Sequence, residues 1–469
     1  PVLDAAVKID GENIGTTLRW LGVETQGDLS SAALRNFRAS ANLKAVEGGL
    51  TLKNIDALLD RSSVRGAVGL RFGARPGVQI AAAVSEWDAS LYFPRTSNAF
   101  ADSFENLKSK GADEKIKALT ESLTVFNDAD VAVGLSAESM SFGGIDARKV
   151  KIGFTAQNGA MSVKEFSADN VLDADVRAAG TIKRFGSDPV FENFSVEAET
   201  KKFSVFAKNA GITGLPAELE RQDNVRVSTV MNGTLDSMNF KAEMRADTLS
   251  VSANGQIKRK ENGFAADFSA EAKADNFRKF VLLFTNKYRP MNANPGAMTL
   301  TANVSVEPLS TKLTAAHLTV GRNVLDGTLE WDKSGEIPQF SMTVGTPKLY
   351  YAEIMPSVNV LTDFNAAETD ENKPFFSPGM LAGMEQISFP KTKFDFGFMG
   401  HYKLIIALNA DKVLLPGLVL SDVDASFGTT KDGNSFYMNI DKSKIDGAQA
   451  VLSAGGTVTG NTADVHIQF

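Results

Sequence analysis

The amino-acid sequence predicts a mainly β protein: an elongated, curled antiparallel sheet of repeated hairpins, open as a groove, with a few short amphipathic helices. Three observations lead there. Apolar and polar residues alternate with a period of two over many segments, which gives a strand one apolar and one wet face. A motif recurs four times, in which a glycine is followed two residues later by an aliphatic residue: Gly66/Val68, Gly180/Ile182, Gly255/Ile257 and Gly327/Leu329. Each leads to an anchor strand beginning at Ile80, Phe194, Phe268 or Phe340, so the spacings are 80−66 = 14, 194−180 = 14, 268−255 = 13 and 340−327 = 13. The anchors lie 114, 74 and 72 residues apart, a period of about 73 with one insertion of roughly 40. Helical spacing, the third observation, is confined to short stretches.

Taken in order, residues 1–93 read as a first β repeat with an N-terminal helix. Ile14, Leu18 and Leu21 place that helix over 10–22, ended by Gly22. Strands follow at 37–44, 50–59, 64–72 and 78–84. The change of phase from Leu50/Leu52 to Ile55/Ala57/Leu59 predicts a bulge. Residues 94–126 keep helical spacing (Phe100, Phe104, Leu107; Ile116, Leu119, Leu123) and read as a helical insertion. A second repeat (127–215) has strands at 131–137, 150–156, 161–166 and 175–182. A third (216–290) has strands at 225–231, 238–246, 249–257 and 264–272, then a helix over 276–288 capped by Asp275. The fourth (291–356) has strands at 298–306, 313–320, 324–331 and 340–344 and a short helix near 350–354. Residues 357–392 lack periodicity and carry Pro374, Pro378 and Pro390, the mark of a loop or lid. In 393–469, a fifth repeat cut short, one strand puts Phe394, Phe396, Phe398, Tyr402, Leu404, Ile406 and Leu408 on one face. No Ser/Gly linker separates the repeats, which predicts one continuous sheet.

Composition narrows the function. The chain has 49 basic and 56 acidic residues, net −7, without the basic stripe of a nucleic-acid protein. With no cysteine, disulfides, thiolate metal sites and thiol nucleophiles are excluded. The three histidines, His317, His401 and His466, lie in separate segments. Asp-x-Asp pairs at 128/130, 173/175 and 422/424 lack the further ligands of a calcium loop and read as solvated faces. The Gly-Gly pairs at 48–49, 143–144 and 455–456 read as hairpin turns. No phosphate loop, metalloprotease motif or serine elbow is present. The sequence points to a non-enzymatic protein without metal or cofactor. Phenylalanine dominates the aromatics, with 31 Phe against 6 Tyr and 3 Trp, and suits a dry surface.

Few helices are available to cover so much half-apolar sheet. Either two sheets face each other or the apolar face lines a groove for acyl chains. The residues expected to line it are Phe37, Ala39, Leu43, Val68, Leu70, Ile80, Ile152, Phe154, Ile182, Ile257, Phe268, Leu329, Phe340, Phe394, Phe396, Phe398, Leu404 and Ile406. An outer-membrane β-barrel and a structural β-sandwich array are the alternatives; the helices, irregular strands and scarcity of Tyr and Trp argue against the barrel.

Three stretches resemble the AsmA family of bacterial envelope proteins. They are Asp10–Gly22 with Leu18-Arg-Trp-Leu-Gly before Leu34-Arg-Asn-Phe-Arg-Ala, the Arg75-Pro76-Gly77 hairpin leading to Trp87-Asp-Ala-Ser-Leu-Tyr-Phe-Pro94, and the recurring Gly-x-aliphatic hairpins with Gly159-Ala-Met-Ser-Val163. The resemblance spans most of the chain. It implies a periplasmic β-groove related in architecture to TamB and to chorein-type bridge-like lipid-transfer proteins. Such a protein is held at the inner membrane of a Gram-negative envelope by an N-terminal helix, here expected outside this sequence. Phospholipid acyl chains and the membrane would be its partners, with unidentified envelope proteins possible in addition, and outer-membrane assembly its role. No catalytic residue is implied.

Overall fold

The computed structural model describes residues 2–12, 35–88, 91, 124, 127–142, 145–185, 188–210, 212, 217–283, 288, 290–354, 403–415, 418–429, 435–445, 448–459 and 462–468. It is mainly β, with four short helices among the described residues. The chain divides into two compact units, the first made of Pro1–Thr213 and Asp223–Ala242, the second of Gly214–Gln222 and Glu243–Phe469.

In the first unit the strands are β1 (Leu3–Glu12), β2 (Asn36–Val46), β3 (Gly49–Leu59), β4 (Ser62–Arg71), β5 (Gly77–Asp88), β6 (Asp130–Phe142), β7 (Ile145–Gln157), β8 (Ala160–Val171), β9 (Ala174–Lys183), β10 (Val190–Lys202) and β11 (Asp223–Thr234); β12 (Ser237–Arg245) runs past its boundary. Helix α1 (Phe203–Asn209) follows β10. Ladder order follows chain order from β1 to β11, because each short turn returns the chain beside the strand it left. Every pairing is antiparallel except β5–β6, where Gly77 lies against Asp130 and Asp88 against Ser141 in parallel register. Among the described residues β1 has β2 as its one ladder neighbour, so the sheet is unclosed at this edge. The expected bulge is present: the β3–β4 register shifts between Leu52 and Ile55, with Asn54 at φ 51°.

Two readings change here. Asp10–Glu12, assigned to a helix by the spacing of residues further on, end strand β1 and pair with Asn36–Arg38. The alternation Leu3, Ala5, Val7, Ile9 carries that strand, and residues 13–34, the rest of the expected helix, lie outside the described residues. The insertion at 94–126 lies almost wholly outside them too.

The second unit contains α2 (Ala217–Glu220), β13 (Leu249–Lys260), β14 (Gly263–Ala274), α3 (Phe277–Leu282), β15 (Met298–Glu307), β16 (Ser310–Val320), β17 (Asn323–Asp332), β18 (Gln339–Tyr350), α4 (Tyr351–Ile354), β19 (Lys403–Leu415), β20 (Leu418–Thr429), β21 (Ser435–Ile445), the two-residue β22 (Ala448–Gln449), β23 (Leu452–Thr459) and β24 (Thr462–Gln468). Again neighbours in sequence pair antiparallel, except that β18 and β19 are parallel, Phe340 against Leu404 and Val344 against Leu408, and that β22 and β23 both pair with β21. Among the described residues β24 has β23 as its one ladder neighbour, leaving an open edge in this unit.

Helix α3 is described over Phe277–Leu282, residues 284–287 of the expected helix lying outside the described residues, and Asn276 caps it rather than Asp275: the Lys279 amide donates to Asn276 Oδ1 at 3.2 Å. Gly455 and Gly456 lie inside β23, opposite Tyr437 and Phe436, and form no turn. The four repeated hairpins also differ in size. Gly180 meets Phe194 and Gly255 meets Phe268, but Gly66 faces Ala82 and Gly327 faces Val344, because the connecting turns differ in length. The expected loop at 357–392 and the strand at 394–402 lie outside the described residues.

Fully buried apolar side chains collect at strand ends. In the first unit Val84, Ala137, Val150 and Ala168 form a cluster toward the end where β5 leaves. Ala156, Met161, Ile182, Phe185 and Phe191 form another at the opposite, turn end. In the second unit one cluster, with Leu249, Ala274, Met298, Val320, Leu349, Ile354, Val413 and Val423, lies beneath α3 and α4 where β14 and β18 end. Phe277, Phe280 and Leu283 pack on it. The Tyr288 hydroxyl donates to the Ile354 carbonyl at 2.5 Å, and its ring meets Phe277 edge-on. Asn323, fully buried, donates to Glu353 and accepts from the Tyr350 amide, which fixes α4 to the β17 start.

Candidate functional site

Residues directly opposite in a ladder point to the same face, so the registers assign each side chain to a face. In the first unit Leu43, Leu52, Val68, Ile80, Val133, Phe154 and Val163 form one row across β2 to β8. A parallel row runs Ala45, Leu50, Leu70, Val78, Val131, Ala156, Met161, Ile182, Phe191. In the second unit Phe268, Val304, Leu313, Leu329, Met342, Ile406 and Phe427 make the matching row. Beside it run Ile257, Ala266, Val306, Thr311, Trp331, Phe340 and Leu404. Members of both mid-strand rows are half-buried throughout. Their backbone neighbours hide their flanks, and among the described residues no second layer covers them as a sandwich partner would.

Phe37, Ala39, Leu43, Val68, Leu70, Ile80, Ile152, Phe154 and Ile182 therefore share one face of the first unit. Ile257, Phe268, Leu329, Phe340, Leu404 and Ile406 share one face of the second. Ile182 is fully buried in its unit's turn-end cluster; the others are half-buried. Phe394, Phe396 and Phe398 lie outside the described residues. Leu52, Val133, Val304, Leu313 and Met342 were passed over in the sequence, although the same alternation marks them.

The opposite face is ionic. Arg177 and Arg226 both reach Glu197, at 3.0 and 2.7 Å, and their hydrogen bonds, that of Arg226 foremost, hold its carboxyl below the usual range. Lys183–Glu192, Lys260–Glu307 and Lys312–Glu330 also join neighbouring strands. Asp130, at the start of β6, is gripped by Arg75 (2.6 Å) and Arg71, and their hydrogen bonds lower its pKa. In the other Asp-x-Asp pairs, Asp175 accepts from the Asn170 amide and Asp422 pairs with Lys444 at 2.6 Å. Among the described residues no three His, Asp or Glu side chains group as metal ligands, and no helix is long and apolar enough to cross a membrane.

The repeated glycines shape the apolar face. A Cβ on Gly66, Gly180, Gly255 or Gly327 would lie closer than 3.0 Å to the paired strand, against Ala81 O, Phe194 Cα, Asp267 O and Thr343 O respectively. Side chains at these positions would point to the apolar side, so there the hairpins close toward that side and only a missing Cβ permits it. Each unit thus offers a broad, partly hydrated apolar surface, bent toward itself at the glycines and backed by a charged face. An acyl chain laid on it would gain about 0.8 kcal/mol per buried CH₂. No family model matches the chain, and no curated protein matches it.

Proposed function

We propose that this is a non-enzymatic envelope protein whose apolar sheet face binds phospholipid acyl chains and conducts them between inner and outer membrane in support of outer-membrane assembly. The observation that carries the proposal is the continuous half-buried apolar rows, unbroken by a charged side chain from Leu43 to Val163 and from Phe268 to Phe427. Water held against such rows costs free energy that a lipid chain recovers, whereas a cargo with polar groups would find nothing to bond. The AsmA-like segments of the sequence support an assignment to that family, and with it a periplasmic location and attachment to the inner membrane.

The test is native mass spectrometry of the purified chain, paired with extraction of fluorescent phospholipid from donor vesicles. Co-isolated phospholipid and extraction by the parent chain, both lost in Ile80→Asp/Phe268→Asp with β content retained, are expected. A folded double variant that still carries lipid at the parent level overturns the reading.

A further inference from the structure

The free edge of the first unit has the properties of a strand that accepts a partner. β1 meets β2 in unbroken register, from Leu3 opposite Ala45 to Glu12 opposite Asn36. Among the described residues its other edge meets no strand, so alternate residues turn their backbone N–H and C=O groups outward. The devices that blunt a free edge are missing: β1 holds no proline, no bulge interrupts it and none of its residues has a positive φ. Leu3 and Ile9 are 55% and 52% exposed, although they share the apolar face with Ala39 and Leu43. On the other face Asp4 and Lys8, both exposed, stand four residues apart with opposite charge. The ladder partner of Lys8 in β2 is the uncharged Ser40.

We propose that β1 is a self-association edge, on which the β1 strand of a second copy pairs antiparallel about a two-fold axis through Ala6. The sequence of the edge selects this partner. Outward N–H and C=O groups recur at every second residue, so a two-fold pairing matches even positions with even and odd with odd. Centred on Ala6, it sets Asp4 of each copy opposite Lys8 of the other, Leu3 opposite Ile9 and Ala5 opposite Val7. Each of these pairs occurs twice by symmetry. Centred on Val7 it would set Asp4 against Asp10, and centred on Lys8 it would set that lysine against itself. Centred on Ala5 it would leave Asp4 opposite Ala6 and Lys8 opposite Val2. A lysine on an edge ordinarily repels a second strand. Here an aspartate at the symmetric position turns the repulsion into attraction. Antiparallel neighbours keep their faces, so the apolar row through Leu43 and Ala5 of one copy continues into Val7 and Ala41 of the other. This contact goes beyond the lipid-binding reading and requires no lipid, so its test stands or falls separately.

Sedimentation velocity of the chain between about 1 and 100 µM, the range in which a small interface is populated, reads the association. A monomer–dimer equilibrium is expected, and peptide-resolved hydrogen exchange should show β1 gaining protection as concentration rises while β24 does not. Asp4→Lys and Lys8→Asp each set like charges opposite in both symmetric pairs and should weaken the dimer roughly tenfold, about 1.4 kcal/mol. Mixing these two variants in equal amounts sets opposite charges against each other again and should restore the parent affinity. Lys53→Asp, an equal change of net charge at an exposed position of β3, should leave association as it was. A chain that stays monomeric throughout the range overturns the proposal. A dimer indifferent to the single variants, one that the mixture fails to restore, or one that Lys53→Asp weakens equally also overturns it. So does growth beyond the dimer with protection at β24, because a head-to-tail contact between the two different edges does not close.

Discussion

Gly66 and Gly69 lie three residues apart in β4, both facing β5, and a Cβ added to each meets very different surroundings. At Gly66 it would strike the Ala81 carbonyl, with the Ala82 Cα at 3.0 Å and the Ala81 carbonyl carbon at 3.1 Å. At Gly69 the nearest atom is the Gln79 Cβ at 3.8 Å, an ordinary contact. The obstruction at Gly66 is backbone of the paired strand, so no rotamer change relieves it and the Gly66–Ala82 pair must open. Overpacking of this kind costs about 1–3 kcal/mol. Alanine also stiffens the unfolded chain, a gain of about 0.4–1 kcal/mol where the backbone accepts it. Gly66→Ala should therefore destabilise the β4–β5 ladder by about 1–2 kcal/mol, and Gly69→Ala should be neutral or mildly stabilising. Peptide-resolved native-state hydrogen exchange over β4 and β5 measures this locally, and the Gly66→Ala segment should open several-fold more often. Equal protection in the two variants would refute the argument that the repeated glycines mark steric closure toward the apolar face.

The faces can be separated by charge: Phe268→Asp should reduce acyl-chain binding roughly tenfold while Ser269→Asp, one residue on and facing the ionic side, leaves it unchanged, as read by the vesicle extraction assay. Asp130 has a folded pKa below its ordinary 3.8 because Arg75 and Arg71 hold the carboxylate, so its contribution is complete above that value and is lost as pH falls through the lower folded one. Acid titration of exchange at the β6 start should show this loss in the parent and not in Asp130→Asn. The Tyr288 phenol is pushed up to about 12 by burial, so the fold favours its neutral form and stability should decline between pH 10 and 12. Tyr288→Phe should lack that alkaline decline, monitored by thermal melts across the interval.

Much of this was legible because a period of two is a direct record of a strand's two faces. Phe268 alternates with Asp267 and Ser269, and the register bears out the face that alternation assigns. The β3 bulge was legible for the same reason, since one extra residue reverses the phase at Asn54. Pairing direction was not. Nothing in Asp130–Phe142 says that β6 lies parallel to β5, because a parallel and an antiparallel neighbour ask for the same alternating side chains. β1 was hidden by the helical spacing of Ile14, Leu18 and Leu21 further along.

The two parallel joints explain where the long connections go. A ladder built from hairpins reverses direction at every strand, and a parallel neighbour requires the chain to travel back along the sheet, which takes a dozen residues or more. Residues 89–129, 41 in all by 129−89+1, separate β5 from β6, and residues 351–402, 52 by 402−351+1, separate β18 from β19. In the first unit the parallel step cancels one reversal, so β10 runs the same way as β5 and α1 leaves from the end at which β5 leaves. In the second unit four antiparallel steps bring β18 into the direction of β14, so α3 and α4 also emerge at a shared end. Each long connection thus leaves at one end of its unit and returns at the other, and short turns stand at both ends, with 321–322 beside α4 and 333–338 at the far end of the same strand.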